Sequence, residues 1–487
     1  MSSRAAEMAG RAARATCWAG LEIAVRHGVQ FVVVLFLARL LAPADFGLVA
    51  MMLVFTSLAG LLVDSGLAAA LIQRGASSDD EETTAFVFAV AASAVMVAVL
   101  WFGAPAIAEF YRQPQLEDLM RVALLVVPFG AMATVPDALL ARRLDFRTRA
   151  RAETASSVVA GGLAVMLAWR GYGVWSLAWM PPVTAALRAA QLWRYSGWRP
   201  RGRFRVEAFR GLFSFGGYLL ASNLLDVLSL RLQPLLLGRF FDARVLGYYT
   251  LAQNTEQAPT SFVATLLNRV GLPVLSGIAD DVDRLREAMR RALRLAMFVF
   301  VPVMVGIALA AEPLVALFYG PTWAPVAPIL AVLALGSALW PMHVLNLSAI
   351  NALGHAHLFL RLTLIKKGIA IGLVFAAAPL GAVALAWALV AASLLAVFAN
   401  TWYAWRLMRY GFAAQIRDQL PTATCCALAA GAAWLGLQWL PQKWWGLLAA
   451  GTIAGTAYLG AAGLVRHQAL PELASMLRSL QAGARGQ

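Results

Sequence analysis

Long apolar runs alternate with short polar or basic connections along the whole chain. The stretch from Phe31 to Arg74 shows the pattern clearly, with two apolar runs joined by the turn APADFG. A helix needs about 20 apolar residues to cross the hydrocarbon core of a bilayer, and both runs are long enough. We therefore predict a membrane-spanning helical hairpin at this position.

The same reading of the other runs predicts about fourteen transmembrane helices. Their predicted bounds are 15–41, 46–72, 84–108, 116–140, 153–169, 173–193, 209–238, 245–270, 288–311, 325–351, 357–378, 381–407, 419–440 and 444–465. The first run is longer than the apolar region of a signal peptide and has no convincing cleavage site, so we expect it to remain in the mature protein. The predicted class is an all-α polytopic membrane protein.

The first hairpin returns 200 positions later in the segment LLLGRFFDARVLGYYTLAQ, where Arg239 corresponds to Arg39 and Gly247 to Gly47. Transporters built from internal repeats place their binding site between the two copies. We therefore predict two pseudo-symmetric six-helix bundles followed by two additional helices. The predicted domains are an N-terminal bundle at 1–195, a basic cytoplasmic linker at 196–210, a C-terminal bundle at 211–410, two additional helices at 411–466 and a cytoplasmic tail at 467–487.

Composition and charge support the membrane class and fix a predicted orientation. Apolar residues make up 61% of the chain and charged residues 13%, which is too few for a water-soluble surface. The formal net charge is +15, but the basic residues recur in clusters between apolar runs, so a nucleic-acid partner is not expected. One set of connections carries 27 basic residues and the opposite set 6. The positive-inside rule then places both termini in the cytoplasm of a multi-pass inner-membrane protein.

No cofactor, metal or catalytic motif is predicted. The three cysteines, Cys17, Cys425 and Cys426, lie at or inside apolar segments and form no disulfide or metal pattern. The chain contains neither the GxxxxGK[ST] phosphate loop nor the HExxH zinc motif. Transport would therefore be coupled to H⁺, to Na⁺ or to no ion.

Charged and amide side chains inside the predicted spans are the best guide to a site. A charge at mid-bilayer costs roughly 2.5–3.5 kcal/mol on insertion scales, so it needs a partner or a watery cavity. The first, seventh, eighth and eleventh predicted spans carry such residues. The substrate-binding candidates are Glu22, Arg26, His27, Gln30, Asn223, Asp226, Arg231, Gln253, Asn254, Glu256, Lys366 and Lys367. The ion-coupling candidates are Asp64, Asp226 and Glu256.

Several of these residues have an alternative structural interpretation. Glu22 with Arg26, and Asp226 with Arg231, are spaced to form internal ion pairs that neutralise each other. The two lysines lie one to two turns from the predicted cytoplasmic helix end, where they could snorkel to the interface. Arg188 could extend the lining of the site or snorkel, and Asp64 could cap or pair locally near a helix end. Pro259 is expected to open the backbone ladder of the eighth span.

Seven stretches together resemble the polysaccharide flippases of the multidrug/oligosaccharidyl-lipid/polysaccharide (MOP) superfamily, in its Wzx-like or polysaccharide-transporter branch. They are FLARLLAPADFGLVAM at 36–51, DSGLAAALIQR at 64–74, LLARRLDFRTRARAE at 139–153, GYGVWSL at 171–177, LGRFFDARVLGYYTLA at 237–252, LPVLSGIADDVDRLREAMRRAL at 272–293 and ALFYGPTWAPVAPIL at 316–330. The chain departs from that family's pattern at Leu232, Gln233 and Pro234, where an acidic or Asn-Asp pair is expected. A cation-coupling role for the seventh helix is less expected for that reason.

The resemblance implies a MOP/MATE-like fold and a flippase that moves oligosaccharide linked to undecaprenyl diphosphate for lipopolysaccharide, capsule or exopolysaccharide synthesis. The implied partners are this lipid-linked oligosaccharide, membrane lipids, and a polymerase and glycosyltransferases of the same pathway. Two alternatives stay open. A drug/cation antiporter of the same superfamily would favour acids over arginines, and a polytopic glycosyltransferase or O-antigen ligase would need a sizeable outer loop.

Overall fold

The computed structural model describes residues 28–74, 77–278, 280–354, 356–439 and 444–473, and every regular element in these ranges is helical. The helices are α1 (Gly28–Leu40), α2 (Pro43–Asp64), α3 (Leu67–Gln73), α4 (Asp79–Tyr111), α5 (Leu116–Ala123), α6 (Val126–Arg142), α7 (Phe146–Trp169), α8 (Val174–Ser196), α9 (Val206–Phe240), α10 (Ala243–Ser276), α11 (Val282–Leu309), α12 (Ala311–Phe318), α13 (Val326–Ser337), α14 (Trp340–Ala352), α15 (Ala356–Ala377), α16 (Ala382–Met408), α17 (Phe412–Trp439) and α18 (Trp444–Leu464). Single 3₁₀ turns lie at Pro321–Trp323 and Ala378–Leu380.

The all-α polytopic class is confirmed, and each predicted span corresponds to one helix or to a pair of helices separated by a short break. Within the described ranges, ten helices or helix pairs are long and apolar enough to cross a membrane. The first predicted span is described only from Gly28 onward, as α1. The helix α10 continues through Pro259 to Ser276, so this proline lies inside a continuous helix, and the opening of the backbone hydrogen-bond ladder there stays a prediction.

Three predicted spans are broken helices, which the hydrophobic pattern did not show. The break between α2 and α3 occurs at Ser65 and Gly66, both with positive φ, 46° and 69°. The side chain of Ser65 donates a hydrogen bond to the carbonyl of Leu62, which helps to end α2. A β-carbon at Gly66 would overlap the backbone of Gly216 in α9, so glycine is needed both for the turn and for this helix crossing. The other breaks separate α5 from α6 and α13 from α14.

The two copies of the hairpin have the same local structure. Helix α1 ends at Leu40 and α2 begins at Pro43, while α9 ends at Phe240 and α10 begins at Ala243, so both boundaries repeat at an offset of 200. An aspartate accepts a backbone hydrogen bond at the start of each second helix. Asp45 accepts from the amide of Ala42, and Asp242 accepts from the amide of Val245. The two aspartates occupy different positions of the repeat, so the shared helix boundaries, and not these contacts, support the predicted duplication of the hairpin.

The two repeated turns also touch each other, and the contact is reciprocal. A β-carbon added at Gly47 would overlap the carbonyl oxygen of Ala243, and one added at Gly247 would overlap the carbonyl oxygen of Pro43. Gly47 thus contacts Ala243, and Gly247 contacts Pro43, the residue that corresponds to Ala243 in the first copy. Such a reciprocal contact is the pattern of a local two-fold axis. Small residues at such crossings let helix backbones approach closely within a membrane.

The described residues up to Thr250 form one compact unit, here called unit 1, and those from Leu251 form unit 2. This division follows packing and falls within α10, whereas the domains drawn from the sequence follow the repeat, so those domain boundaries stay a prediction. In unit 2, Phe298 of α11, Cys425 of α17 and Tyr458 of α18 share one apolar cluster. The hydroxyl of Tyr458 donates to the carbonyl of Phe298 at 2.8 Å, which fixes α18 against α11.

The predicted basic linker at 196–210 is attached to the start of α4. The backbone amides of Gly202, Arg203 and Arg205 donate to Thr83, Asp80 and Thr84, respectively, at 2.8–3.0 Å. The guanidinium of Arg205 also pairs with the Asp80 carboxylate. Four acidic residues in the first turn of α4 therefore meet a linker rich in arginine. The linker is a packed strap along unit 1.

Candidate functional site

Of the four candidates on the first predicted span, three lie outside the described residues. These are Glu22, Arg26 and His27. The fourth, Gln30, has an exposed side chain on α1. The predicted ion pair between Glu22 and Arg26, and the alternative of a cavity lined by this face, both stay predictions.

In unit 1, α9 places Arg231 against α2. The Nε of Arg231 donates to the hydroxyl of Ser57 at 3.0 Å, and the arginine side chain is half-buried. The Ser57 hydroxyl itself donates to the carbonyl of Leu53, one turn earlier in α2. This contact fixes the Nε of the guanidinium, and within the described residues its two terminal nitrogens remain able to donate to a ligand. The candidates Asn223 and Asp226 lie on exposed positions of α9.

In unit 2, Glu256 of α10 is a buried carboxylate, with 6% of its surface exposed. The hydroxyl of Thr260, one turn later, donates to its Oε1 at 2.6 Å, and the hydroxyl of Ser337 at the end of α13 also bonds to it. These two hydroxyl groups give the buried carboxyl group its hydrogen-bond partners. Gln253 is half-buried and Asn254 is exposed on the same helix.

A hydrogen-bonded chain of four side chains links α14, α15 and α16 in unit 2. The ammonium of Lys366 donates to Oδ1 of Asn400 at 3.0 Å. The amide nitrogen of Asn400 lies 3.3 Å from Nδ1 of His343, and Nε2 of His343 lies 2.9 Å from the hydroxyl of Ser393. Asn400 is fully buried, whereas Lys366 and His343 are half-buried.

The position of Lys366 corrects the sequence prediction. Lys366 is the eleventh of the 22 residues of α15. It therefore lies about 15 Å along the helix axis from either end, because each residue adds about 1.5 Å. The prediction that it sits one to two turns from the cytoplasmic end is wrong, and reaching the interface from mid-helix would be difficult. Lys367, the next residue, is also half-buried.

The remaining ion-coupling candidate, Asp64, has local contacts. It is the last residue of α2, and the backbone amides of Gly66 and Ala68 lie against its carboxylate. A carboxylate at this place caps the start of α3, as the structural alternative predicted. A coupling role for Asp64 stays untested.

A second set of charges in unit 1, all half-buried, is fully paired. Asp137 of α6 accepts two hydrogen bonds from Arg149, at 2.8 and 3.0 Å, and one from Arg188 at 3.1 Å. Arg188 also pairs with Glu153 at 2.8 Å. Arg188 was predicted either to line the site or to snorkel, and it instead joins α6, α7 and α8. This network is structural because each charge has its partner.

Arg231 and Lys366 are different from that network. Within the described residues, neither of them forms an ion pair with a carboxylate. Each therefore places positive charge at membrane depth with only neutral hydrogen-bond partners, which requires water or an anionic ligand. The same ranges contain no cluster of ligands that could hold a metal ion.

Sequence reasoning missed the neutral partners, which are Ser57, Ser337, Ser393 and Asn400. Asn400 had a usable signal, because it is an amide within the otherwise apolar run LLAVFANTW. Hydroxyl side chains gave no such signal, since a serine in a membrane helix can satisfy itself on the preceding turn.

Comparison with known proteins places this arrangement in context. A family model described as "Polysaccharide biosynthesis protein" (Polysacc_synt_3) matches residues 36–328, which is more than half of the chain. The match covers the first hairpin, α9 with Arg231, and the part of α10 that carries Glu256.

Individual relatives come from several bacteria. The chain is 28% identical over 324 residues to the succinoglycan biosynthesis transport protein ExoT of Rhizobium meliloti (strain 1021), covering 66% of this chain and 65% of ExoT. It is 28% identical over 326 residues to the lipopolysaccharide biosynthesis protein WzxC of Escherichia coli (strain K12), covering 65% of each protein. The teichuronic acid biosynthesis protein TuaB of Bacillus subtilis (strain 168) is 24% identical over 62% of this chain and 63% of TuaB. The chain thus matches just under two thirds of the length of each relative.

Solved structures with the same fold include the lipid II flippase MurJ in an inward closed conformation. The TM-score is 0.76 at 14% identity, and the alignment covers 91% of this chain and 98% of MurJ. An inward-facing MATE family transporter of the MOP superfamily gives a TM-score of 0.60 at 18% identity, over 82% of this chain and 96% of that one. The predicted MOP/MATE-like fold is confirmed by these two alignments.

Proposed function

Because the chain belongs to the polysaccharide biosynthesis protein family, we propose that it is a flippase for oligosaccharide linked to undecaprenyl diphosphate. It moves this lipid from the cytoplasmic to the outer leaflet of the bacterial inner membrane, for lipopolysaccharide, capsule or exopolysaccharide synthesis. The family match over 36–328 is the observation that carries the proposal. The names of ExoT and WzxC, which refer to polysaccharide transport and lipopolysaccharide biosynthesis, support the same substrate class.

The chemistry of the membrane-depth cations fits a diphosphate headgroup. A diphosphate cannot enter hydrocarbon without groups that replace its water, and charge-assisted hydrogen bonds from Arg or Lys do this well. Arg231 and Lys366 have donors that are not used by a carboxylate of the described residues. The prenyl tail needs no such site because it stays in lipid.

Alternating access provides the transport step in this proposal, with the repeats moving about the bound headgroup. Transport in this proposal is coupled to H⁺, to Na⁺ or to no ion. Among the three carboxylates predicted for this role, Glu256 is the best placed, because it is buried and bonded only to hydroxyls among the described residues. The protein acts as a transporter and not as an enzyme, and it works beside the polymerase and glycosyltransferases of its pathway.

Flipping can be measured directly in vesicles of phosphatidylethanolamine and phosphatidylglycerol that contain the purified protein. A fluorescent undecaprenyl-diphosphate oligosaccharide is placed in both leaflets, and a membrane-impermeant reagent then bleaches the outer one. We expect the protected fraction to fall only in vesicles that contain the protein. Equal protection with and without protein would contradict the flippase, and export of a cationic dye by the same vesicles would favour the drug/cation antiporter.

The orientation is a further part of the proposal. The 27 to 6 bias in basic residues places both termini and the linker at 196–210 in the cytoplasm. Arg201 is exposed in that linker, so a cysteine there is accessible to reagents. In a chain whose native cysteines are replaced, Arg201→Cys should react with an impermeant maleimide only after the cells are opened. Labelling in intact cells would reverse the orientation.

A further inference from the structure

The chain of Lys366, Asn400, His343 and Ser393 has only one consistent set of hydrogen-bond directions when the lysine is charged. An ammonium group donates hydrogen bonds and accepts none, so the carbonyl oxygen of Asn400 must face Lys366, at 3.0 Å. The amide NH₂ of Asn400 is then left to donate to Nδ1 of His343, at 3.3 Å. Nδ1 must accept, so the imidazole is neutral and its proton is on Nε2, which donates to the hydroxyl of Ser393.

The opposite assignment requires every partner to change. A protonated His343 would donate from both ring nitrogens, so Asn400 would have to turn its oxygen toward Nδ1. Its NH₂ group would then face Lys366, which could accept that bond only as a neutral amine. The amide of Asn400 thus allows a proton on the lysine or on the histidine, but not on both.

Within the described residues, the three helices that carry this chain offer no negative charge that would stabilise a second proton. The sequences of α14, α15 and α16 contain neither Asp nor Glu. The ionisable groups on these helices are His343 on α14, His357, Arg361, Lys366 and Lys367 on α15, and Tyr403 and Arg406 on α16. Helix α11, which also packs on α14, carries Asp283 and Glu287 beside five arginines up to Arg294, and then has no ionisable side chain until it ends at Leu309. Helix α17 is bonded to α14 through Gln415 and Asn346, and its one carboxylate, Asp418, is paired with Arg290. A second positive charge in this group would be repelled and unsolvated.

We propose that Asn400 is a positioning residue that keeps the single positive charge of this chain on Lys366, where the ammonium binds the phosphoryl group of the transported lipid. This inference rests on the proposed transport of a diphosphate-linked lipid. Asn400 is fully buried and acts through Lys366, since the lysine is half-buried and its ammonium has two donors beyond the one used by Asn400. The ligand class is a phosphate or diphosphate group carried on a lipid.

Binding is tested with the purified full-length protein and undecaprenyl diphosphate, measured by native mass spectrometry. Lys366→Met should weaken binding by about tenfold or more, because a charge-assisted hydrogen bond is lost, and Lys366→Arg should restore most of it. Asn400→Asp should also weaken binding, because the new carboxylate takes the ammonium as its partner. The control is Arg361→Met, which removes one positive charge from an exposed position of the same helix and should bind like the parent protein.

A spectroscopic measurement separates positioning from a general effect on folding. Nitrogen-15 histidine NMR of the protein in lipid nanodiscs, with His343 assigned by His343→Gln, should show a neutral ring protonated at Nε2. In Asn400→Leu this single tautomer should be replaced by a mixture, because Nδ1 has lost its donor. If His343 of the parent protein is protonated at Nδ1, or at both nitrogens, the assigned hydrogen-bond directions are wrong. This result needs no Asn400 variant.

The remaining outcomes also decide the matter. Parent protein that binds undecaprenyl diphosphate while Lys366→Met binds equally well would overturn this inference and leave the proposed function intact. Parent protein that does not bind the lipid at all would overturn both. If inorganic diphosphate competes at a concentration equal to that of the lipid, the site takes the free anion, and the assignment to the transported lipid is wrong.

Discussion

A single arginine at membrane depth, Arg231, is the residue in unit 1 on which transport should depend most. Its Nε is held by the hydroxyl of Ser57, and no carboxylate of the described residues pairs with it. Arg231→Ala should lower the flipping rate in vesicles by about tenfold or more, because a charge-assisted contact with the diphosphate is removed. Arg231→Lys should keep part of the rate, since it retains the charge but loses the forked geometry.

The matched control is Arg170→Ala, which removes an exposed arginine from the connection between α7 and α8. Both variants should insert and unfold at the temperature of the parent protein. If Arg231→Ala flips lipid as fast as Arg170→Ala, the arginine has a structural role only and the headgroup is bound elsewhere.

His467, just after α18, should make the stability of unit 2 depend on pH. The ring is 3% exposed, its Nδ1 accepts from the amide of Ala469 at 3.1 Å, and its Nε2 bonds to Thr422 at 3.0 Å. Burial, together with the nearby positive charge of Arg294, lowers the pKa of His467 below its usual value of 6.5. The folded protein therefore keeps this histidine neutral at a pH where the unfolded chain already binds a proton.

Stability from this histidine is therefore fully present above about pH 6.5 and is lost as the pH falls toward the lowered pKa. The unfolding temperature in detergent should be lower at pH 5.5 than at pH 7.5, and His467→Gln should show a smaller decrease. An equal decrease in both proteins would assign the pH effect to other groups.

At the scale of residues, the sequence predicted which charged side chains lie inside the spans, but it did not predict the neutral side chains that bond to them. Arg231, Glu256 and Lys366 were found because a charged residue in an apolar run is rare and costly. Ser57 and Asn400 were missed because their role depends on which helix lies opposite, and that information comes from packing. Arg188 was interpreted as a site or surface residue, although Asp137 and Glu153 neutralise it.

At the scale of helices, the lipid bilayer made the spans predictable. A span must satisfy its own backbone and be long enough to cross the hydrocarbon, so apolar length alone located most helices to within a few residues. Breaks inside spans followed different physics. The break at Ser65 and Gly66 depends on positive φ angles and on the close approach of Gly216. Neither feature interrupts the run of apolar residues, so the sequence pattern does not show the break.

The linker between α8 and α9 gives a prediction at this scale. A β-carbon at Gly202 would overlap the backbone carbonyl of Asp79, and a backbone clash cannot be relieved by turning a side chain. Gly202→Val should therefore release the strap from α4 and increase cleavage by trypsin after the exposed Arg201 and Arg203. A cost of about 1.4 kcal/mol in the closed state corresponds to a tenfold faster cut.

The control for that variant is Gly130→Ala in α6, where an added β-carbon meets no atom within 4 Å. Its cleavage rate should equal that of the parent protein. If trypsin cuts Gly202→Val no faster than the parent protein, the linker is held by side-chain ion pairs, such as Arg205 with Asp80, and not by close backbone contact.

At the scale of the whole molecule, the repeat produces a contact that neither copy could make alone. The turn between α1 and α2 and the turn between α9 and α10 have the same boundaries, and each places a glycine against the other. The sequence predicted that Gly47 and Gly247 correspond, but not that they meet. A correspondence can be read from spacing, whereas a close crossing requires the three-dimensional arrangement of both copies.

This contact is expected to open during the transport cycle, because alternating access requires the outer rims of the two repeats to separate. Ala243 lies in this contact and Ala44 lies in the opposite turn, so a pair of cysteines at these positions should react with a reducible bifunctional reagent when the turns are together. The linked protein should lose flipping activity in vesicles, and reduction should restore it.

A protein with either single cysteine, treated in the same way, should keep its activity, because one attachment leaves the turns free to separate. If the double-cysteine protein is completely linked and still flips lipid at the parent rate, the turns do not need to separate. Transport would then proceed along a pathway that leaves this contact closed.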